Sequence, residues 1–254
     1  MTTNGVSGTR PSHVICRSED HPPTDPAFDS IPDVLRAFAN DEFVIVLDSP
    51  DRENEGDLII AASALTPEKA AFMIRYTSGY ICAPMDVTRC AQLGLDLMVP
   101  KNEDPNLTAY TVSVDARHPS MTTGISAQDR SRTCMMLADS STTKADFRRP
   151  GHILPLQCRN GGVLQRKGHT EAAVDLCYLA GKPHVGVICE LVTDGEQVEG
   201  KGERIGGGMM RRDECLAFGK KFGIKVCTIE DMENYIRKTE GDDYIQGAWR
   251  TWFK

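Results

Sequence analysis

Five carboxylates, Asp48, Asp51, Glu53, Glu55 and Asp57, crowd one short turn of the 254-residue chain, with Arg52 among them. In an extended segment Glu53 and Glu55 point the same way. Like charges that close disfavour each other's ionised form unless a counter-ion intervenes. A hard divalent cation such as Mg²⁺ would resolve the repulsion, because it prefers carboxylate oxygens and water. A solvated acidic hairpin is the other reading of this stretch taken alone. A second group lies in LQRKGHTEAAVDL, residues 164–176. There Thr170 is placed to cap a helix beginning at Glu171, and Gly168 lets backbone approach a ligand. Arg166, Lys167 and the free N–H groups of the helix start then make an anion site suited to phosphate. His169, at the cap, is either a metal ligand or an ordinary surface histidine.

Two further residues stand out by context. Glu190 falls in the apolar run VICELV, where an acid is rarely buried without a partner or a task. A structural pair with an arginine and a catalytic role both fit it. His152, in RPGHILPL, joins it as a candidate. Cys82, in GYICAP, carries no nucleophile signature and reads as a buried thiol that could also line a site. GERIGGGMM lacks the preceding strand and the spacing of a dinucleotide fingerprint or a phosphate-binding loop, and reads as a flexible turn.

These residues need elements to hold them. Strands are expected at 43–48 and 57–62, flanking the acidic turn. Ser30 is placed to cap a helix with Ile31, Val34, Leu35 and Phe38 on its apolar face. Thr66 caps a second helix, with Pro67 in its first turn and Gly79 as its stop. YICAPM, YTVSVDA, GHILPLQ, HVGVICELV and IKVCTI read as strands. DVTRCAQLGL, HTEAAVDLCYLAG, MMRRDECLAFGKKFG and TIEDMENYIRK read as helices, and TTGISAQDRSRTCMMLAD as a loop entering a helix. Residues 99–109 are polar, hold two prolines, and read as a mobile loop that helps close the site. Helices and strands intermix without a strict βαβ rhythm, which predicts a layered α/β or α+β domain.

Composition bounds the function. Apolar content of 40% and charged content of 26% are ordinary for a soluble globular protein. A net charge of −7 argues against nucleic-acid binding. No apolar stretch approaches the roughly 18 residues that span a bilayer, so no membrane partner is expected. Nine scattered cysteines without a CxxC pair favour free thiols in a reducing compartment, the cytoplasm. Residues 1–27 read as a disordered leader, 28–238 as one domain and 239–254 as a tail.

Together, DSPDRENEGDLIIAA, TSGYICAPM, TAYTVSVDA, TTGISAQDRSRT, RPGHILPL, RKGHTEAAVDL and GVICEL resemble, in order, the 3,4-dihydroxy-2-butanone 4-phosphate synthase family of riboflavin biosynthesis. The resemblance implies a single-domain α+β fold, a three-layer mixed α/β sandwich, in the stand-alone form. It implies conversion of D-ribulose 5-phosphate to 3,4-dihydroxy-2-butanone 4-phosphate and formate, with Mg²⁺ or Mn²⁺ and no organic cofactor. Glu53 and His169 would be the metal ligands. Arg52, Glu53, Asp57, Thr123, Glu190 and the run Arg166, Lys167, Gly168, His169 and Thr170 would bind substrate. His152 and Glu190 match essential catalytic positions, and Asp48, Glu55 and Glu190 are candidates for the first base. The family works as a homodimer with shared active sites. The reaction it implies runs by enediol formation, dehydration, skeletal rearrangement and loss of C4, which needs several acid/base groups. A metal-dependent sugar-phosphate isomerase or aldolase is the rival enzyme class, separated by formate release. A non-catalytic phosphate-binding module is the rival outside enzymes.

Overall fold

Ser30 opens the first helix as its sequence predicts, its hydroxyl accepting from Asp33 N with Pro32 in the first turn. The computed structural model describes residues 15–241 and Tyr244. The helix, α1 (Ile31–Ala39), buries Ile31, Val34, Leu35 and Phe38, each contributing roughly 1.5–3 kcal/mol by leaving water. The chain continues through β1 (Val44–Leu47), β2 (Gly56–Ala61), α2 (Pro67–Tyr76), β3 (Cys82–Met85), α3 (Val87–Leu93), β4 (Val114–Ala116) and α4 (Ala127–Ala138). It then forms β5 (Phe147–Gln157), α5 (His169–Leu179), β6 (Gly186–Glu190), β7 (Val192–Thr193), β8 (Glu196–Gln197), β9 (Arg204–Ile205) and β10 (Gly208–Met209). It closes with α6 (Arg212–Phe222), β11 (Lys225–Thr228) and α7 (Ile229–Thr239).

Seven strands make one mixed sheet in the order β11-β1-β2-β6-β3-β5-β4. β1 runs parallel to β11, and β3 to β5; the other neighbours are antiparallel. Successive strand residues face opposite ways. Beside Gly56 sits Cys215 of α6, whereas Asp57 approaches His169 of α5. Helices α1, α5 and α7 pack together over the α5 face, and α2 and α4 pack together on the other. There Phe72 of α2 meets Phe218 and Phe222 of α6. The strands β1 and β2 are buried at every position, which explains their continuous apolar runs. This is the layered single-domain α+β arrangement that the intermixed elements predict.

Several boundaries differ from the sequence reading. Helix α2 ends at Tyr76, ahead of Gly79, because Thr77 turns extended and its hydroxyl donates to Met73 O at 2.6 Å. The strand expected in YTVSVDA shrinks to β4, with Tyr110 and Thr111 in isolated bridges. Helix α5 begins at His169 behind a Gly168 N-cap, so Thr170 lies inside the helix and caps nothing. The glycine-rich turn carries two ribbons, β8 with β9 and β7 with β10. Of the stretch read as a disordered leader, residues 15–27 run along α7, where Asp231 accepts from Thr24 N and Oγ1 at 2.8 and 2.6 Å. Residues 1–14 lie outside the described residues, as does the tail beyond 241 apart from Tyr244. Among the described residues no helix is long and apolar enough to cross a membrane.

Candidate active site

The acidic turn folds around one of its own acids. Asp48, only 7% exposed, accepts from Glu53 N at 3.0 Å and Glu55 N at 2.9 Å. Its Oδ2 also takes Arg52 Nη1 at 2.8 Å, and Arg52 reaches on to the Glu53 carboxylate. Asn54 turns through φ +56, a left-handed conformation that asparagine tolerates. Arg211 donates to Glu53 O at 2.9 Å and fixes the turn from outside. Asp48 therefore shapes the loop and leaves Glu53 and Glu55 free to face inward.

The strand and helix behind the turn complete a chamber. In the antiparallel register of β2 and β6, Asp57 sits directly opposite Glu190. Register partners on neighbouring strands share a face, so the two acids stand side by side on the face covered by α5. His169, the first residue of α5, projects between them and the turn: its Nδ1 lies 3.7 Å from Glu53 Oε2 and 3.8 Å from Asp57 Oδ1. These are ion-pair separations, too long for hydrogen bonds. Arg52, Glu53, Glu55, Asp57, Arg166, His169, Thr170 and Glu190 all line a cavity of about 90 Å³, joined by Cys82, Thr108, Tyr110, Leu156 and Ile188. The two roomiest of the other hollows, bounded by α4 and by the Phe43–Phe72–Phe222 aromatics, are lined by no histidine.

The electrostatics are those of a buried anionic site. Burial raises Asp57 to about 7, and Glu190, Glu53 and Glu55 add to it while His169 opposes. Burial disfavours the His169 imidazolium, yet the field of Asp57, Glu53 and Asp48 overrules it and lifts the ring to about 9. The His169 contact, with Arg52, holds Glu53 down at about 2. Burial raises Glu55, with Glu53 adding repulsion. Two polar atoms in this chamber, Asp57 Oδ1 and His169 Nε2, are buried without a hydrogen-bond partner. Such atoms cost free energy unless something fills the space between them. One oxygen each of Asp48 and Glu53 and one nitrogen of His169 lie within 4.8 Å of one another, a set that fits a divalent cation. The cationic end is Arg166, whose Nη1 pairs with Glu171 at 2.6 Å and whose Nη2 donates to Thr108 at 3.1 Å.

Three of the residues singled out in the sequence lie elsewhere. The Lys167 ammonium pairs with Glu233 of α7 at 2.6 Å. His152 and Thr123 sit at the β4–β5 edge of the sheet, outside the cavity. There Asp115, 1% exposed, accepts from His152 N at 2.9 Å and faces its Nδ1 at 2.8 Å. A carboxylate only accepts, so Nδ1 is the donor in this contact, which orients the half-exposed ring. Arg148 ties Asp115 to Thr123 O at 3.1 and 2.9 Å.

The sequence reading missed the residues that lock the site. Asn106, in the polar loop 99–109, donates to Glu53 Oε1 at 2.7 Å and accepts Arg166 Nε at 3.1 Å, so that loop bridges the acidic and cationic ends. Asp115 and Glu171 gave no signal beyond being acids within element-like runs. Cys82 does line the chamber, but burial pushes its thiol well above the ordinary range.

The family model described as 3,4-dihydroxy-2-butanone 4-phosphate synthase matches residues 32–235. A protein of that name from Pyricularia oryzae is 59% identical over 221 residues, covering 87% of this chain and 95% of its own. The Saccharomyces cerevisiae protein of the same name is 48% identical over 217 residues, 83% of this chain and 100% of its own. A solved 3,4-dihydroxy-2-butanone 4-phosphate synthase in complex with two magnesium ions aligns with TM-score 0.83 and 59% identity, covering 84% of this chain and 99% of that one.

Proposed function

The chain belongs to the 3,4-dihydroxy-2-butanone 4-phosphate synthase family, and on that premise we propose that it converts D-ribulose 5-phosphate to 3,4-dihydroxy-2-butanone 4-phosphate and formate. The product is the four-carbon unit for riboflavin. The observation that carries this reading is that Asp57 Oδ1 and His169 Nε2 are buried without hydrogen-bond partners on two residues that line one polar chamber, between an acidic turn and the arginine-bearing loop before α5.

Glu53 and His169 would hold Mg²⁺ or Mn²⁺, with Asp48 behind them. Bound there, the ion would supply positive charge that makes a sugar C–H more acidic. His169 would give up the proton that the surrounding acids otherwise keep on it when it ligates a cation. We place the substrate phosphate at Arg166 and the N–H groups of His169 and Thr170 at the α5 N-terminus, where the helix dipole favours an anion; the Gly168 N–H is taken by Arg166 O at 2.9 Å. Arg52 steadies the Glu53 carboxylate. Both Asp48 oxygens are occupied by the turn, which leaves Glu55 and Glu190 to move protons. Ser78 Oγ donates to Glu190 Oε2 at 2.7 Å and fixes that carboxylate at the chamber wall. Loop 99–109 shields the chamber by tying Glu53 to Arg166 through Asn106.

His152, oriented by Asp115 but outside its own chain's chamber, is assigned to the chamber of a second subunit, with Thr123 beside it. The protein then acts as a homodimer with shared sites. Free thiols at all nine cysteines suit work in the reducing cytoplasm.

The test is formate release from ribulose 5-phosphate with Mg²⁺, with and without EDTA. Metal-dependent formate is expected. Glu53→Ala and His169→Ala should lose it while keeping the wild-type circular dichroism, and should weaken metal binding by more than the roughly 10–100-fold that loss of an outer-shell partner costs. Near-normal turnover by either variant would remove that residue from the metal site.

A further inference from the structure

The loop that carries Arg166 is fastened from beneath by two buried acids one turn apart on α5. Glu171, 1% exposed, accepts from Arg159 N at 3.0 Å and pairs with Arg166. Asp175, fully buried, accepts from Val163 N at 2.8 Å through Oδ2. Its other oxygen accepts the hydroxyl of Tyr244 at 2.6 Å. Tyr244 comes from the far end of the chain, yet it is 3% exposed and stacks edge-on against Tyr178 of α5 at 5.4 Å.

The backbone above Asp175 has little slack. Gly161 and Gly162 both take positive φ, +96 and +58, and a Cβ on Gly162 would lie 2.1 Å from Asp175 Oδ1. Gly162 O in turn accepts from Gln165 N at 2.9 Å and Arg166 N at 3.0 Å. An unbroken series of contacts therefore runs from the Tyr244 hydroxyl through Asp175 to the Gly162–Val163 turn, and from that turn to the backbone of Arg166. Removing one donor from a buried carboxylate lets it shift toward its remaining partner.

We propose that Tyr244 is a positioning residue for the substrate phosphate: its hydroxyl fixes the Asp175 carboxylate, and so sets the turn that aims Arg166 beside the α5 N-terminus. The proposal rests on the reading of Arg166–Thr170 as the phosphate site. It gives Tyr244, which bonds Asp175 and stacks on Tyr178 rather than entering the chamber's lining, a share in substrate affinity.

The test is Tyr244→Phe in the full chain, which keeps the ring and deletes only the hydroxyl. Two measurements are made beside the wild type: hydrogen exchange over residues 161–168, and steady-state formate release against ribulose 5-phosphate. Exchange about tenfold faster and a KM about tenfold higher, with kcat within about twofold, are expected; tenfold corresponds to ~1.4 kcal/mol. A purely structural role would lower the melting temperature and the active fraction without moving KM. Unchanged exchange at 161–168 overturns the latch, whatever the substrate is. Faster exchange with unchanged KM overturns its part in phosphate binding. Absence of formate from the wild type would count against the substrate reading, and exchange alone would still decide whether Tyr244 holds the turn.

Discussion

Two buried aspartates, Asp57 and Asp175, are each lifted to about 7 by burial, yet they serve different ends. Asp175 has both oxygens satisfied by donors, the pattern of a structural acid. Asp57 leaves Oδ1 without a hydrogen-bond partner in a chamber that His169 also lines, the pattern of a group that can take a ligand. Part of this was legible in the sequence: Glu190 was conspicuous as an acid in an apolar strand, and the acidic turn by its charge density. Which acid shapes the turn and which face inward was not, because that depends on Asp48 capturing the N–H groups of Glu53 and Glu55. For Asp175 the pH dependence follows directly. Its folded value lies above the ordinary 3.8, so the fold binds the proton more tightly than the unfolded chain does. The stability this supplies is full below about pH 4 and is lost as pH rises to about 7, a change on the order of 4 kcal/mol. Urea denaturation at pH 5 and pH 8 should therefore show wild-type stability falling relative to Asp175→Asn. A constant difference would mean that Asp175 does not titrate in this window.

Start signals are where the elements were easiest to read. Ser30 and Thr66 cap the helices predicted for them, because a hydroxyl before an apolar repeat satisfies free N–H groups in nearly any surroundings. Ends and irregular segments were harder, since distant contacts decide them. Helix α2 stops at a Thr77 bond to its own last turn, and α5 starts two residues early on the extended backbone of Gly168. Loop 99–109 was visible as a loop, but the Asn106 bridge across the site was not. Two glycines with similar backbone angles make the distinction testable. Gly162 at φ +58 lies against the Asp175 carboxylate, whereas Gly181 at φ +67 has nothing within 4 Å of where a Cβ would stand. Gly181→Ala should cost only the ~1–2 kcal/mol of left-handed backbone strain. Gly162→Ala should cost about 1–3 kcal/mol more through overpacking, and should raise KM by disturbing the Arg166 turn. Equal melting temperatures for the two variants would contradict the close approach.

For the molecule as a whole, the layered α+β class followed from the intermixed elements, whereas the sheet order β11-β1-β2-β6-β3-β5-β4 was out of reach. Apart from the consecutive pairs β1–β2 and β4–β5, its neighbours come from distant parts of the chain, and no local pattern specifies them. The sheet frames the oligomer question, because it puts His152 and Asp115 on β5 and β4 while Asp57 and Glu190 lie on β2 and β6. If two subunits share each site, His152→Ala and Glu53→Ala should both be inactive alone, and mixing them should rebuild one intact site in each mixed dimer. Random exchange then returns about a quarter of wild-type formate release. No recovery, with subunit exchange verified by mass, would confine each site to one chain. The pairing of Asp57 with Glu190 carries a last consequence. The two acids meet only when β2 and β6 dock in a single alignment, and a slip of one residue would turn either strand's acid to the opposite face. Catalysis is thereby an internal check on assembly: a refolding chain should regain turnover no earlier than this central pairing, and a misaligned sheet would be silent even if compact.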